Sequence, residues 1–256
     1  MAHWSQRMRH CNVSANMGQT DLLIVGSGAA GMTAAAVAAA QGLRPLVVEK
    51  TDTIGGTMAI SGGMVWIPCD EFLAHGPEPD SVERARSYIE SVVDDEDGRE
   101  MRTRFLEAGP RAVAYLARHT AVELRPLAFY PDYYPELEGF STGRRVLEPV
   151  PFDGALLGHD FTRLRPPMQE FTLFGGMMVG REDIPHLRRA MRSPRSFART
   201  FHLLSQYAVQ RLRHPRGTRL VLGNGRSEYQ PSSRLSARCQ SVAPRGCRPP
   251  LEPVRP

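Results

Sequence analysis

Gly26-Ser27-Gly28-Ala29-Ala30-Gly31 stands between an apolar run, Asp21 to Val25, and an alanine-rich stretch, Ala29 to Gln41, that Gly42 closes. Strand, glycine turn and helix in this order form a cradle for a dinucleotide pyrophosphate. Gly26 makes the turn, Gly28 lets the backbone approach the phosphates, and Gly31 allows helix and strand to pack closely. The helix N-terminus, with unpaired N–H groups and a positive dipole end, then holds the anion without a basic side chain. Glu49 ends a second apolar run, Pro45 to Glu49, about twenty residues beyond the glycines, where a carboxylate accepts from ribose hydroxyls and repels a 2′-phosphate. Lys50 adjoins it, counted with the cofactor segment though its charge reads equally as a solvated one.

These residues require a βαβ unit with a right-handed crossover and parallel strands, the second buried on both faces. The ADP half alone does not separate NAD from FAD. The next segment does: Gly55-Gly56-Thr57, Ser61-Gly62-Gly63 and Trp66-Ile67-Pro68 crowd small residues where the chain returns past the pyrophosphate, and an NAD enzyme has no need of them.

The runs VGSGAAGMTAA, VVEK and GGTMAISGGMVWIP resemble the opening of the flavoprotein family that contains 3-ketosteroid Δ1-dehydrogenases and soluble fumarate reductases. The likeness continues more thinly through Asp132-Tyr133-Tyr134-Pro135-Glu136, Gly143-Arg144, Glu148-Pro149, Arg216 to Leu220 and Gly223-Asn224. It implies an α/β fold, a Rossmann-like FAD-binding domain with added helices, incomplete relative to the family. It implies FAD contacts from Gly26, Ser27, Gly28, Ala29, Ala30, Gly31, Glu49, Lys50, Gly56, Thr57, Ser61, Gly62 and Gly63. It also implies a small-molecule substrate of the 3-ketosteroid kind, whose hydride passes to flavin N5 while tyrosines polarise the ketone and accept the proton. Tyr133 matches a family tyrosine near the proton-accepting site and is carried over as a supporting catalytic residue, with Tyr130 and Tyr134 as neighbouring alternatives. Packing is an equal reading of this aromatic cluster, which includes Phe129.

The family's principal base and substrate-capping domain lie in later sequence that finds no counterpart here. After Gly225 the text turns to Ser, Arg, Pro, Gln and Cys without periodicity. A truncated or frameshifted product is therefore expected, with a partial FAD-binding domain over 20–225 between disordered tails at 1–19 and 226–256. An FAD-binding fragment without turnover and a fumarate reductase-like flavoprotein remain the alternatives.

Further along the chain, Asp80 is expected to cap a helix through Ser81 to Val93. Two more helices are expected at Arg99 to Ala108, ended by Gly109, and at Pro110 to His119. A strand at Ala121 to Arg125, a long loop region from Pro126 to Pro167 and helical spacing from Ile184 to Leu212 follow.

The net charge of +5 and pI near 9.3 reflect an arginine excess after Arg211, so nucleic acid is not expected as a partner. Cys11, Cys69, Cys239 and Cys247 lack metal-ligand spacing, and the scattered histidines lack a triad signature, so no metal is expected. No segment is apolar and long enough to span a bilayer, and 1–19 lacks a signal-peptide core, which gives a cytoplasmic expectation.

Overall fold

The computed structural model describes residues 19–68, 80–93 and 95–225, and the backbone of 238–241. The expected N-terminal tail, apart from Gln19, lies outside the described residues, as do 226–237 and 242–256.

The βαβ unit forms as the sequence requires. Strand β1 (Leu22–Val25) leads through the glycine turn into helix α1 (Ala29–Ala40), and β2 (Pro45–Glu49) returns parallel to β1 with Leu22 opposite Pro45 and Val25 opposite Val48. Ile24, Ala35 and Val47 make the small core between them. Alanine suits α1 because its buried side, Met32, Ala35, Ala38 and Ala39, must lie close against the sheet.

The return segment carries the short strand β3 (Val65–Trp66), followed by helix α2 (Val82–Val92). Ser81, not Asp80, caps α2, its hydroxyl accepting from the Arg84 N–H. Asp80 is committed to Arg145 instead. The expected pair of helices is one continuous helix, α3 (Arg99–His119), running through Gly109 and Pro110. Gly109 is a packing requirement, since a Cβ there would lie 2.9 Å from Ile67. Leu106, Val113 and Leu116 hold one buried stripe across the junction, and that burial outweighs the hydrogen bond that Pro110 cannot donate.

Strand β4 is shorter and later than expected, Leu124–Pro126. The expected loop region contains β5 (Val146–Pro149), which pairs antiparallel with β3 on one side and β4 on the other. It also contains β6 (Phe152–Asp153) and the helical turn α4 (Asp160–Arg163). A hairpin of β7 (Thr172–Leu173) and β8 (Met177–Met178) precedes two helices, α5 (Asp183–Arg188) and α6 (Pro194–Arg211), in the span from Ile184 to Leu212 where helical spacing was expected. Pro194 divides them, at the opening turn of α6. Buried Asp183 binds the pair to β9 (Arg219–Leu220), with Arg199 at 3.0 Å and Arg219 at 2.8 Å.

Leu222–Gly225 forms a helical turn, α7. The expectation of disorder throughout 226–256 meets an exception: Arg238–Ser241 forms strand β10, parallel to β2 with Arg238 opposite Leu46. The sheet order is β1-β2-β10, so β10 satisfies the second hydrogen-bonding edge of buried β2.

The most demanding electrostatic feature is Arg145, 1% exposed. It contacts Asp80 at 2.7 Å and Asp132 at 2.7 Å, donates to the Gly139 carbonyl, and lies 5.9 Å from the Trp66 ring centroid. Arg145→Ala would leave two buried carboxylates without their cation, and we expect a loss of about 3–5 kcal/mol in urea unfolding. Burial alone would raise the Asp80 pKa, but the hydrogen bonds and charge of Arg145 lower it below the ordinary 3.8. The unfolded chain therefore takes up the proton first as pH falls. The Asp80 contribution to stability is complete well above pH 3.8 and lost below it, which acid unfolding of wild type against Asp80→Asn measures.

Candidate functional site

Glu49 organises the first part of the site. Its Oε2 accepts from the Ser27 N–H at 2.9 Å and from the Ser27 hydroxyl at 2.6 Å, and the same hydroxyl accepts from the Gly55 N–H at 3.0 Å. The glycine turn, the end of β2 and the Gly55-Gly56 turn are thus joined through two side chains, Ser27 and Glu49, and two backbone amides, those of Ser27 and Gly55. Glu49 Oε1 makes longer contacts to the Thr51 N–H and hydroxyl, 3.2 and 3.3 Å, which leave room for a further donor such as a ribose hydroxyl. Burial would raise the Glu49 pKa, yet the Ser27 and Thr51 hydrogen bonds outweigh it and hold the carboxyl in its charged form.

The glycines separate into open and closed positions. At Gly26 and Gly28 an added Cβ would meet nothing within 4 Å, so the loop borders open space. At Gly31 it would stand 2.0 Å from the Gly26 carbonyl oxygen, and at Gly56 it would stand 3.1 Å from the Gly28 Cα. Helix α1 begins at Gly28 with no side-chain cap and no acidic residue in its first turn, so its terminal N–H groups face the same opening. A pyrophosphate fits this donor set and this space.

Ala29, Ala30 and Thr57 are exposed around the opening, Gly56 is half-buried, and Lys50 is exposed beside it. Ser27 is fully buried, so its side chain acts on Glu49 and Gly55 rather than toward the opening. The Ser61 hydroxyl donates to the Met58 carbonyl and accepts from the Gly63 N–H, tightening its own turn. Gly62 and Gly63 both line the cavity described below, and Gly63, with φ of 68°, also packs against α7, where a Cβ would lie 2.5 Å from the Gly223 nitrogen. Buried Asn224 donates to the Ala59 carbonyl, while its Oδ1 is buried with no partner among the described residues. The likeness at Gly223-Asn224 thus corresponds to a real junction with the cofactor segment.

Ser61 to Trp66, α2 and the segment Tyr130 to Tyr134 enclose an apolar cavity of about 440 Å³. Tyr133 lies on its wall, 81% exposed. The Tyr130 phenol beside it, through charge and a hydrogen bond, raises the Tyr133 pKa above the usual 10.0, with burial a lesser cause. Tyr130 also carries the Arg181 guanidinium 4.8 Å from its ring centroid. Phe129 and Tyr134 are exposed too, so these rings do not anchor the loop as an aromatic cluster. The anchor is Asp132, which accepts from Trp66 Nε1 at 2.8 Å, from Arg145 and from the Ser141 N–H. Sequence reading missed this set because Trp66, Asp80, Asp132 and Arg145 meet only in the fold; the adjacency of Asp132 to Tyr133 was its one signal. Among the described residues, no group of His, Cys, Asp or Glu is arranged to hold a metal.

An α/β unit with an open glycine turn, an uncapped helix start and a buried acid at the end of β2 defines a dinucleotide-binding domain. The profile of the FAD binding domain family matches residues 21–227, and the chain belongs to that family, whose cofactor is FAD. It is 39% identical over 180 residues to the 3-oxosteroid 1-dehydrogenase of Mycolicibacterium smegmatis, covering 70% of this chain and 31% of that protein. It is 36% identical over 178 residues to the 4-oxocyclohex-2-ene-1-carboxylate 5-dehydrogenase of Sinomonas cyclohexanicum, covering 69% and 30%. Among solved structures, the 3-ketosteroid Δ1-dehydrogenase of Sterolibacterium denitrificans, in complex with 1,4-androstadiene-3,17-dione, superposes with a TM-score of 0.75 at 32% identity, covering 87% of this chain and 40% of that one. The chain spans less than a third of the length of the curated relatives it matches first.

Glu49→Gln keeps the shape but removes the charge that Ser27 meets and that ribose hydroxyls of a bound cofactor would meet. We expect roughly tenfold weaker FAD binding by fluorescence titration, with the far-UV circular dichroism unchanged.

Proposed function

We propose that this chain is the FAD-binding part of a flavoprotein dehydrogenase that removes hydrogen from a CH–CH bond beside a ketone, with 3-ketosteroids as the substrate class. The observation that carries this reading is the cavity, lined by the cofactor segment Ser61 to Met64 on one side and by Tyr130 to Tyr134 on the other. A flat apolar molecule placed there would lie between the residues that reach the cofactor and a phenol. Bound FAD supplies the two-electron acceptor. The chain itself supplies apolar contact from Met64, Val65, Ile89 and Val92, exclusion of water on those faces, and the Tyr133 hydroxyl.

Tyr133 is protonated at neutral pH, as an ordinary tyrosine is, and Tyr130 raises its pKa further, so it donates a hydrogen bond to a carbonyl or an anion rather than taking the proton. This suits the supporting role. We place the FAD-binding domain at 20–225, with a small molecule rather than nucleic acid as partner. A cytoplasmic setting is part of the same reading.

A second reading is an FAD-binding unit without turnover of its own. It is favoured by the 81% exposure of Tyr133, which leaves the phenol facing solvent instead of an enclosed site.

The visible spectrum of the purified chain with added FAD tests both, with bands sought at about 375 and 450 nm. The dehydrogenase reading predicts bound flavin that a 3-ketosteroid bleaches and an artificial acceptor restores, slowed roughly a hundredfold by Tyr133→Phe with FAD content unchanged. Bound flavin that no ketosteroid bleaches would select the second reading.

A further inference from the structure

Helix α6 is apolar on the side away from the core. Ser196 and Leu203 are its buried residues, while Phe197, Phe201, Val209 and the capping Leu212 face outward, 55%, 63%, 63% and 83% exposed. Their spacing places them on one stripe with Ser205 and Ala208 between, and no charged residue interrupts it. The Phe197 and Phe201 rings stack with centroids 6.3 Å apart. Met191, 90% exposed, continues the patch into the turn before the helix.

The rim of this stripe is cationic. Arg195 and Arg211 stand on its two flanks, and Arg188, Arg189 and Arg192 are exposed in the preceding turn. From Ile184 to Gly225 the chain contains no aspartate or glutamate at all. An exposed apolar patch marks a surface that meets something, and here the rim selects among occupants. Two copies meeting isologously on this face would bring arginines against arginines, with no acid on the helix to compensate. Nucleic acid would meet the rim but leave the aliphatic centre, Val209 and Leu212, against water. An anionic bilayer satisfies both, since phosphate headgroups meet the arginines while the aromatic and aliphatic side chains enter the acyl boundary.

We propose that the outer face of α6 is a docking surface for anionic phospholipid membranes, on which the protein lies with α6 in the interfacial plane. Among the described residues no helix is long and apolar enough to cross a membrane, so the association is peripheral.

The test is cosedimentation of the full chain with vesicles of phosphatidylcholine alone and of phosphatidylcholine mixed with phosphatidylglycerol. Phe197→Ser/Phe201→Ser and Arg188→Gln/Arg192→Gln/Arg195→Gln variants accompany wild type, all at exposed positions and checked by circular dichroism. Binding to the anionic vesicles, weakened by salt and reduced roughly tenfold in each variant set, is the expected result. Absence of binding to anionic vesicles by wild type would overturn the proposal. So would undiminished binding by a folded Phe variant, self-association that the Phe changes abolish in place of lipid binding, or binding to duplex DNA that survives them without lipid binding. Lipid composition and salt act on wild type alone, so the outcome does not depend on the variants folding.

Discussion

A carboxylate at the end of a buried parallel strand is costly unless its oxygens are met by donors, and Glu49 meets that requirement with Ser27. The backbone and hydroxyl of Ser27 can both reach Glu49 only if the glycine turn bends back over the end of β2. That bend leaves Gly28 and the first N–H groups of α1 facing outward. The Ser27 hydroxyl also accepts from Gly55, so the position of the return segment follows from the same carboxylate. From there the close contacts of Gly63 with Gly223, and of Asn224 with Ala59, carry the constraint to the far end of the described chain. The cofactor opening, one wall of the cavity and the turn at α7 thus share a single electrostatic origin.

The second wall rests on a different ion cluster. Arg145 between Asp80 and Asp132 holds the loop whose next residue is Tyr133, while Trp66 contributes a hydrogen bond from the cofactor side. Buried ions of this kind contribute little net stability over apolar packing, but removing one partner is severe. Their value here is geometric, since a loop fastened by Asp132 presents Tyr133 without using the tyrosine rings as anchors.

The parts of this arrangement that were legible in the sequence are those whose cause is local. Apolar run, glycine spacing, alanine helix and terminal acid all fall within about thirty residues, so the dinucleotide-binding βαβ unit could be read directly, and the small residues from Gly55 to Pro68 then separated FAD from NAD. The Arg145 cluster joins residues 65 positions apart and has no local signature. Gly109-Pro110 carries a strong local signal for a helix end, which tertiary burial of Leu106, Val113 and Leu116 overrides. Arg238–Ser241 lacks any strand pattern of its own; the unsatisfied edge of β2, a property of the fold, gives it a place. The resemblance counts Ser27 among the FAD contacts, yet the direction of its side chain is set by Glu49, a residue that the turn reaches only in three dimensions.

The central claim is that the open space over Gly28 is the seat of the FAD pyrophosphate. Gly28 has φ of −72° and ψ of −173°, a backbone conformation any residue adopts, and a Cβ there meets nothing within 4 Å. Gly28→Val should therefore fold like wild type, with the same thermal unfolding midpoint, while obstructing the approach of phosphate to backbone. The decisive measurement is FAD titration of the two proteins followed by quenching of flavin fluorescence. Saturable binding by wild type that Gly28→Val abolishes is the predicted result. Equal binding by both, or none by a folded wild type, would contradict the account.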